Sequence, residues 1–140
     1  MIKLEKIKEL LTTGILLSSD SFSRVDVDDL LDKRDNDAFS DEWIRIYNEI
    51  RKKKGVISSV ENEIIKSIRE VSYKITYNAT KSPELAGYIS DDFGLISDAL
   101  ILNYSDEWLN ALAKEYIKGR IPHYKLKPLK GDLGKIILKY

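Results

Sequence analysis

Apolar residues recur at helical spacing along most of this chain. Val60, Ile64, Ile68, Val71 and Ile75 stand at steps of four, four, three and four, which is one face of a helix of 3.6 residues per turn. All five side chains are β-branched and carry a small propensity cost, so tertiary burial has to hold the helix. Ser58 and Glu61 precede the stripe in the pattern of a capping box. Farther on, Ser82-Pro83-Glu84 combines a capping serine, a proline for the first helical position and an early acid. Leu85, Ile89, Phe93, Ile96 and Leu100 then mark an inward face. Gly87 and the sequence Ser90-Asp91-Asp92 leave open whether residues 83–102 form one helix or two.

Toward the N-terminus, Ile2, Leu4, Ile7, Leu10 and Leu11 predict a first amphipathic helix that Gly14 ends or loosens. Ser18–Ser23 reads as a polar loop, and Asp26–Lys33 as a short helix with Val27, Leu30 and Leu31 inward. The tetrapeptide Ser-Asp-Glu-Trp occurs at Ser40–Trp43 and again at Ser105–Trp108. In each copy the serine is expected to cap a helix, the acids to occupy its positive first turn, and the tryptophan to face inward. The first of these helices carries Trp43, Ile44, Ile46, Tyr47 and Ile50 and runs out at Arg51-Lys52-Lys53-Lys54-Gly55, cations and a glycine that suit a helix C-terminus. The second carries Trp108, Leu109, Leu112, Tyr116 and Ile117 and is closed by Gly119 and Pro122. The two copies read as one capping solution used twice, since a solenoid needs about three units or more. Pro128, Gly131 and Gly134 interrupt the tail, and Lys135–Tyr140 is expected as an extended arm or short strand. The fold class is therefore all-α: a single compact domain over residues 1–140, of five or six helices, with residues 119–140 as a C-terminal arm.

Composition agrees with a globular chain of one domain, 43% hydrophobic and 33% charged over 140 residues. With no cysteine, disulfides, thiolate metal sites and cysteine nucleophiles are excluded, which fits a reducing cytoplasm. Glu5 and Glu9 interrupt the N-terminal apolar run, so it reads as an amphipathic helix and not as a secretion signal. No stretch approaches the roughly 20 apolar residues of a membrane span, and a soluble cytoplasmic protein is expected.

Catalytic chemistry finds little support. His123 is the lone histidine, too few for a His-rich zinc or di-iron site, and no serine stands in a nucleophile elbow. The seven glycines form no phosphate-binding loop. A calcium loop headed by Asp35 would need an oxygen ligand at Phe39 and a glycine at Ser40. Asp91 and Asp92 are neighbours and diverge on a helix, which does not suit a general acid and base. The expectation is a protein with no catalytic residue, no metal and no cofactor.

Charge is balanced overall, 23 bases against 23 acids, but not locally. From Asp20 to Glu42 nine acids face three bases; from Lys118 to Tyr140 seven bases face Asp132 alone. An acidic segment of this kind suits a basic protein surface, with charge steering the encounter. The candidate partner-binding residues are Asp26, Asp28, Asp29, Asp32, Asp35, Asp37, Asp41 and Glu42, with Asp91 and Asp92 as a second patch. Phe22, Phe39 and Trp43 would serve as anchors if exposed. A nucleic-acid-binding or self-associating regulatory protein is the alternative, through Arg51–Lys54, the lysine-rich tail, Tyr124 and Tyr140.

Tyr88-Ile89-Ser90-Asp91-Asp92-Phe93-Gly94-Leu95-Ile96, followed by Trp108-Leu109, Leu112, Tyr116 and Gly119-Arg120-Ile121-Pro122, resembles small helical bacterial immunity proteins. These are encoded beside toxins, including those of contact-dependent growth inhibition. The resemblance implies a cytoplasmic protein that binds and neutralises a cognate toxin domain, often a nuclease with a basic cleft.

Overall fold

The computed structural model describes residues 2–139, which form eight α-helices: α1 (Ile2–Thr12), α2 (Ser19–Phe22), α3 (Val27–Asp35), α4 (Asp37–Arg51), α5 (Ser59–Thr80), α6 (Pro83–Ile101), α7 (Glu107–Ile117) and α8 (Leu133–Leu138). A single 3-10 turn, Lys54–Val56, follows α4, and no strand occurs among the described residues. The all-α class holds, with more helices than the five or six expected.

The chain is organised around α6. Ser82 accepts a hydrogen bond from the backbone N–H of Leu85 at 3.1 Å, Pro83 opens the first turn, and the helix continues without a break through Gly87 and Ser90. Residues 92–100 are buried in every position, so this helix has no solvent face there. Central position follows from that, because a helix covered on all sides has to have neighbours on all sides. Helices α5 and α6 form an antiparallel hairpin, turned at Lys81 in the left-handed conformation (φ +59°). Helix α1 packs on α5, α6 and α8, while α3 packs on α4 and α4 on α6.

The stripe predicted for α5 is correct in period and shifted in phase. Ile68 is buried completely, but Val60 is 61% exposed, and Ile64, Val71 and Ile75 are only half-buried. The deepest face is Ile65, Ile68, Ser72 and Thr76. Both hydroxyls are satisfied within the helix, Ser72 donating to Arg69 O at 3.0 Å and Thr76 to Ser72 O at 2.9 Å. Small side chains with internally bonded hydroxyls thus meet the central helix without an unpaired polar group. In α1, Ile2 is likewise 75% exposed, whereas Leu4, Ile7, Leu10 and Leu11 enter the core. The Ser18–Ser23 segment holds the short helix α2 in place of a plain loop.

Both serine caps are displaced by stronger acceptors. Helix α4 begins at Asp37, capped by the Asn36 side chain, which accepts from Ala38 N at 2.9 Å; Ser40 lies inside the helix. Helix α7 is capped by Asp106, which accepts from Trp108 N at 2.8 Å and Leu109 N at 3.1 Å. Ser105 accepts from Leu133 N instead and ties α8 to this corner. Trp108 is buried against Phe39, edge to face at 5.2 Å, while Trp43 is only half-buried.

Asp106 also holds Arg45 of α4 at 2.8 Å. Burial by itself would raise the Asp106 pKa, but Arg45 and the N–H groups of Leu109 and Trp108 together hold it below the usual carboxylate range. A depressed folded pKa gives stability that is present above the unfolded value and lost as pH falls through the folded one. Asp106→Ala is expected to cost about 1–2 kcal/mol at neutral pH, the range of a lost helix cap. Denaturant melts of both proteins should show this gap narrowing in acid; a gap independent of pH would exclude the charge as its source.

The C-terminal segment corrects the expected strand. Residues 123–132 run without regular structure, and Leu133–Leu138 form α8, capped by Asp132, which accepts from Lys135 N at 2.9 Å. Tyr140 lies outside the described residues. The irregular stretch is held to α7 by Asn110, whose amide donates to the carbonyls of Leu129 (3.0 Å) and Gly131 (2.9 Å). Leu133 and Ile137 then bury one face of α8 in the core.

Candidate partner-binding surface

Most of the acidic segment folds into one corner formed by α3 and α4. Asp28, Asp32 and Asp35 stand at steps of four and three on α3 and are exposed together. Asn36 turns the chain, and Asp37 and Asp41 continue the exposed carboxylates along α4. Among the described residues, Asp28, Asp32, Asp35, Asp37 and Asp41 form no salt bridge, so their charge is presented outward. Three other candidates are engaged within the molecule. Asp26 caps α3, accepting from Asp29 N at 3.1 Å; Asp29 pairs with Lys33 at 2.9 Å; Glu42 pairs with Arg45 at 2.7 Å.

The second predicted patch divides. Asp91 is half-buried and pairs with Arg69 at 2.6 Å. Its pKa is raised, first by burial and further by the neighbouring Asp92, with Arg69 offsetting part of that. Asp92 is fully buried and offers no surface for a partner to touch, which corrects its place among the contact residues. Asp92 is instead the centre of the core's polar network. Its Oδ1 accepts from Arg34 at 2.8 Å and from the Trp43 indole at 2.9 Å, and its Oδ2 accepts from the Tyr116 hydroxyl at 2.5 Å.

Arg34 completes the network by donating to the Pro122 carbonyl at 3.0 Å. Its guanidinium lies 4.4 Å from the Phe39 ring centre and 5.6 Å from that of Tyr88. Burial is the largest single influence and opposes the charge, but Asp92 and Tyr116 together outweigh it and raise the Arg34 pKa. The Tyr116 hydroxyl is pushed well above its ordinary value, by burial first and by Asp92 second, and therefore stays a donor. One carboxylate thus joins α3, α4, α6, α7 and the start of the tail. Pairing of this kind answers the cost of burying a charge, since each ion finds both a counter-charge and hydrogen bonds. Helical spacing sets Asp92 in line with Leu85, Ile89 and Ile96, but beside Asp91 it reads as one of a surface acid pair.

Of the three aromatics proposed as anchors, Phe22 and Phe39 are buried and Trp43 alone reaches the surface. The exposed apolar side chains beside it are Ile44 (54%) and Tyr47 (41%), which the sequence pattern places inward. Between α4 and α5 a groove of about 640 Å³ opens over α6. Trp43 and Tyr47 form one side, Arg69 and Tyr73 the other, and Asp91 and Asp98 lie along the floor. Arg69 crosses that floor above Gly94, where a Cβ would come within 2.9 Å of its side chain. Asp98 is held by Lys54 at 3.3 Å, and burial raises its pKa in spite of that partner. A second cleft of about 180 Å³ meets the groove at Trp43 and Asp91 and continues it toward Asp35 and Tyr88.

The remaining histidine, His123, is half-buried beside the α2–α3 side of the fold, and burial, followed by the nearby Lys33, lowers its pKa. Among the described residues no group of three or more His, Cys, Asp or Glu side chains is arranged to hold a metal ion. No helix among them is long and apolar enough to cross a membrane.

The described residues form a small all-helical protein built around one buried helix. The family described as immunity protein PIM1 matches residues 6–123, a span that runs from α1 to the turn after α7, and the chain belongs to that family. Among curated proteins the chain has no match.

Proposed function

We propose that this protein is a non-enzymatic, cytoplasmic immunity protein that binds a cognate bacterial toxin domain and holds it inactive. Membership of the immunity family over residues 6–123 carries the reading. The α3–α4 corner supports it, because five outward carboxylates that have no cation partner among the described residues suit a basic cleft, such as that of a nuclease. A complex of ordinary size would bury about 1,600 Å² in total. The toxin would belong to a contact-dependent growth-inhibition or similar system and be encoded beside this protein.

Co-expression supplies the test. The toxin domain encoded next to this chain, induced alone, is expected to arrest growth; induced together with this protein, it should not. The pair should also elute as one complex on size exclusion. Undiminished toxicity with no complex would overturn the reading.

A further inference from the structure

The 180 Å³ cleft between α4 and α6 is too small for an ordinary small-molecule site, which runs to about 300–1,000 Å³, and is close to the size of one side chain. Its lining is of two kinds. Phe39, Trp43, Ile44 and Tyr88 supply aromatic and aliphatic surface, and Asp35 and Asp91 supply carboxylates. An occupant matched to both has an apolar stem and a cationic head.

The charge around the cleft favours a cation as well. Arg34 also lines it, but its charge is answered by Asp92 at 2.8 Å. Asp91 is answered by Arg69. Asp35 accepts only the neutral Tyr88 hydroxyl, at 3.0 Å, and has no cation partner among the described residues. Asp37, Asp41 and Ile44 stand at steps of four and three on α4, so the two further carboxylates share the helix face that leads to the cleft. Arginine suits the site better than lysine. Its planar guanidinium stacks on aromatic rings and takes a carboxylate in two hydrogen bonds.

On the immunity reading above, we infer that this cleft is the anchor pocket of the interface and receives an arginine side chain from the toxin. Asp35 binds the guanidinium, and Trp43 and Tyr88 cover its stem. The wider groove that joins the cleft at Trp43 and Asp91 then accommodates the toxin surface around that arginine. Such an arrangement has the form of a binding hot spot: an aromatic and arginine pair at the centre, with a charged rim.

Titration with a catalytically inactive form of the toxin domain encoded beside this chain tests the inference, read by calorimetry and by tryptophan emission. Trp108 is 4% exposed and serves as a constant background, so an emission change on binding reports Trp43. Asp35→Asn with Asp41→Asn is expected to weaken Kd by about 10- to 100-fold, mainly through faster dissociation. Ser40→Arg, which fills the cleft from within, should weaken it at least as much, while Asp20→Asn on α2 should leave it unchanged. Melting curves and circular dichroism confirm that the variants fold; the Asn pair is conservative enough to serve if Ser40→Arg does not. In the toxin, one Arg→Met substitution among its surface arginines should match the loss seen with the Asn pair, and the two should not add. Tight wild-type binding that neither the Asn pair nor any toxin arginine alters would overturn the anchor pocket and leave the immunity function standing. Absence of both binding and protection in the wild type would overturn the two together.

Discussion

Asp92→Ala is expected to lower stability by about 3–5 kcal/mol, the range for leaving one member of a buried ion pair alone. Arg34 would keep its charge in the core with only the Pro122 carbonyl and the Phe39 and Tyr88 rings around it. Trp43 and Tyr116 would each lose their acceptor. Arg34→Met is expected to cost less, because Asp92 would retain the indole and the phenol as donors and a flexible apolar side chain would fill the space. The double variant Arg34→Met with Asp92→Leu should recover much of the loss, since it removes both charges. Urea unfolding of these variants, with Asp92→Leu alone to close the cycle, measures this coupling directly. Equal, additive losses would mean that Arg34 and Asp92 do not act as a pair. The functional consequence follows from position: Arg34 and Trp43 hold α3 and α4 on α6, so loosening the network frees the corner that carries the outward carboxylates.

The second large effect concerns that corner. Reversing Asp28, Asp32, Asp35 and Asp37 to lysine is expected to weaken the complex with the cognate toxin by about 100-fold or more, chiefly by slowing association and removing its salt dependence. The α3 and α4 sites are exposed and the substitutions fill no core position, so helical content should be preserved. Association rates measured at low and high salt separate this from a general loss of fold. A wild-type complex whose association is independent of salt, and a variant of equal affinity, would remove the acidic corner from the interface.

These two predictions rest on residues that look alike in the sequence and differ in the fold. Asp32 and Asp92 are both aspartates in charged helical segments, yet one is solvated and the other is buried completely. Helical spacing puts Asp92 in line with Leu85, Ile89 and Ile96, but a carboxylate is kept there only by Arg34, Trp43 and Tyr116, which arrive from three other helices and which no local pattern shows. Trp43 and Trp108 illustrate the same point. Both follow Ser-Asp-Glu, but Trp108 packs into the core with Phe39, and Trp43 sits at the boundary where its indole can reach Asp92. The groove between α4 and α5 was not legible either. It is a gap between helices, formed by how α4 and α5 lie on α6, and no residue pattern encodes a gap. Exposed Ile44 and Tyr47 are the only signal, visible as an apolar stripe on α4 too wide for one buried face.

From the sequence alone came the all-α class, the places where most helices run, the Ser58 capping box, the start at Ser82-Pro83 and the acidic α3–α4 segment. Each of these is set by residues within a few positions of one another, through periodicity, caps and local charge. The tertiary structure alone decided the phase of the α5 stripe, the unbroken burial of α6, the helix formed by Leu133–Leu138, and the removal of Asp92 from the surface. Those outcomes depend on which faces meet across long separations in the chain. There, burial energy and the need to pair every buried charge override what the local pattern prefers.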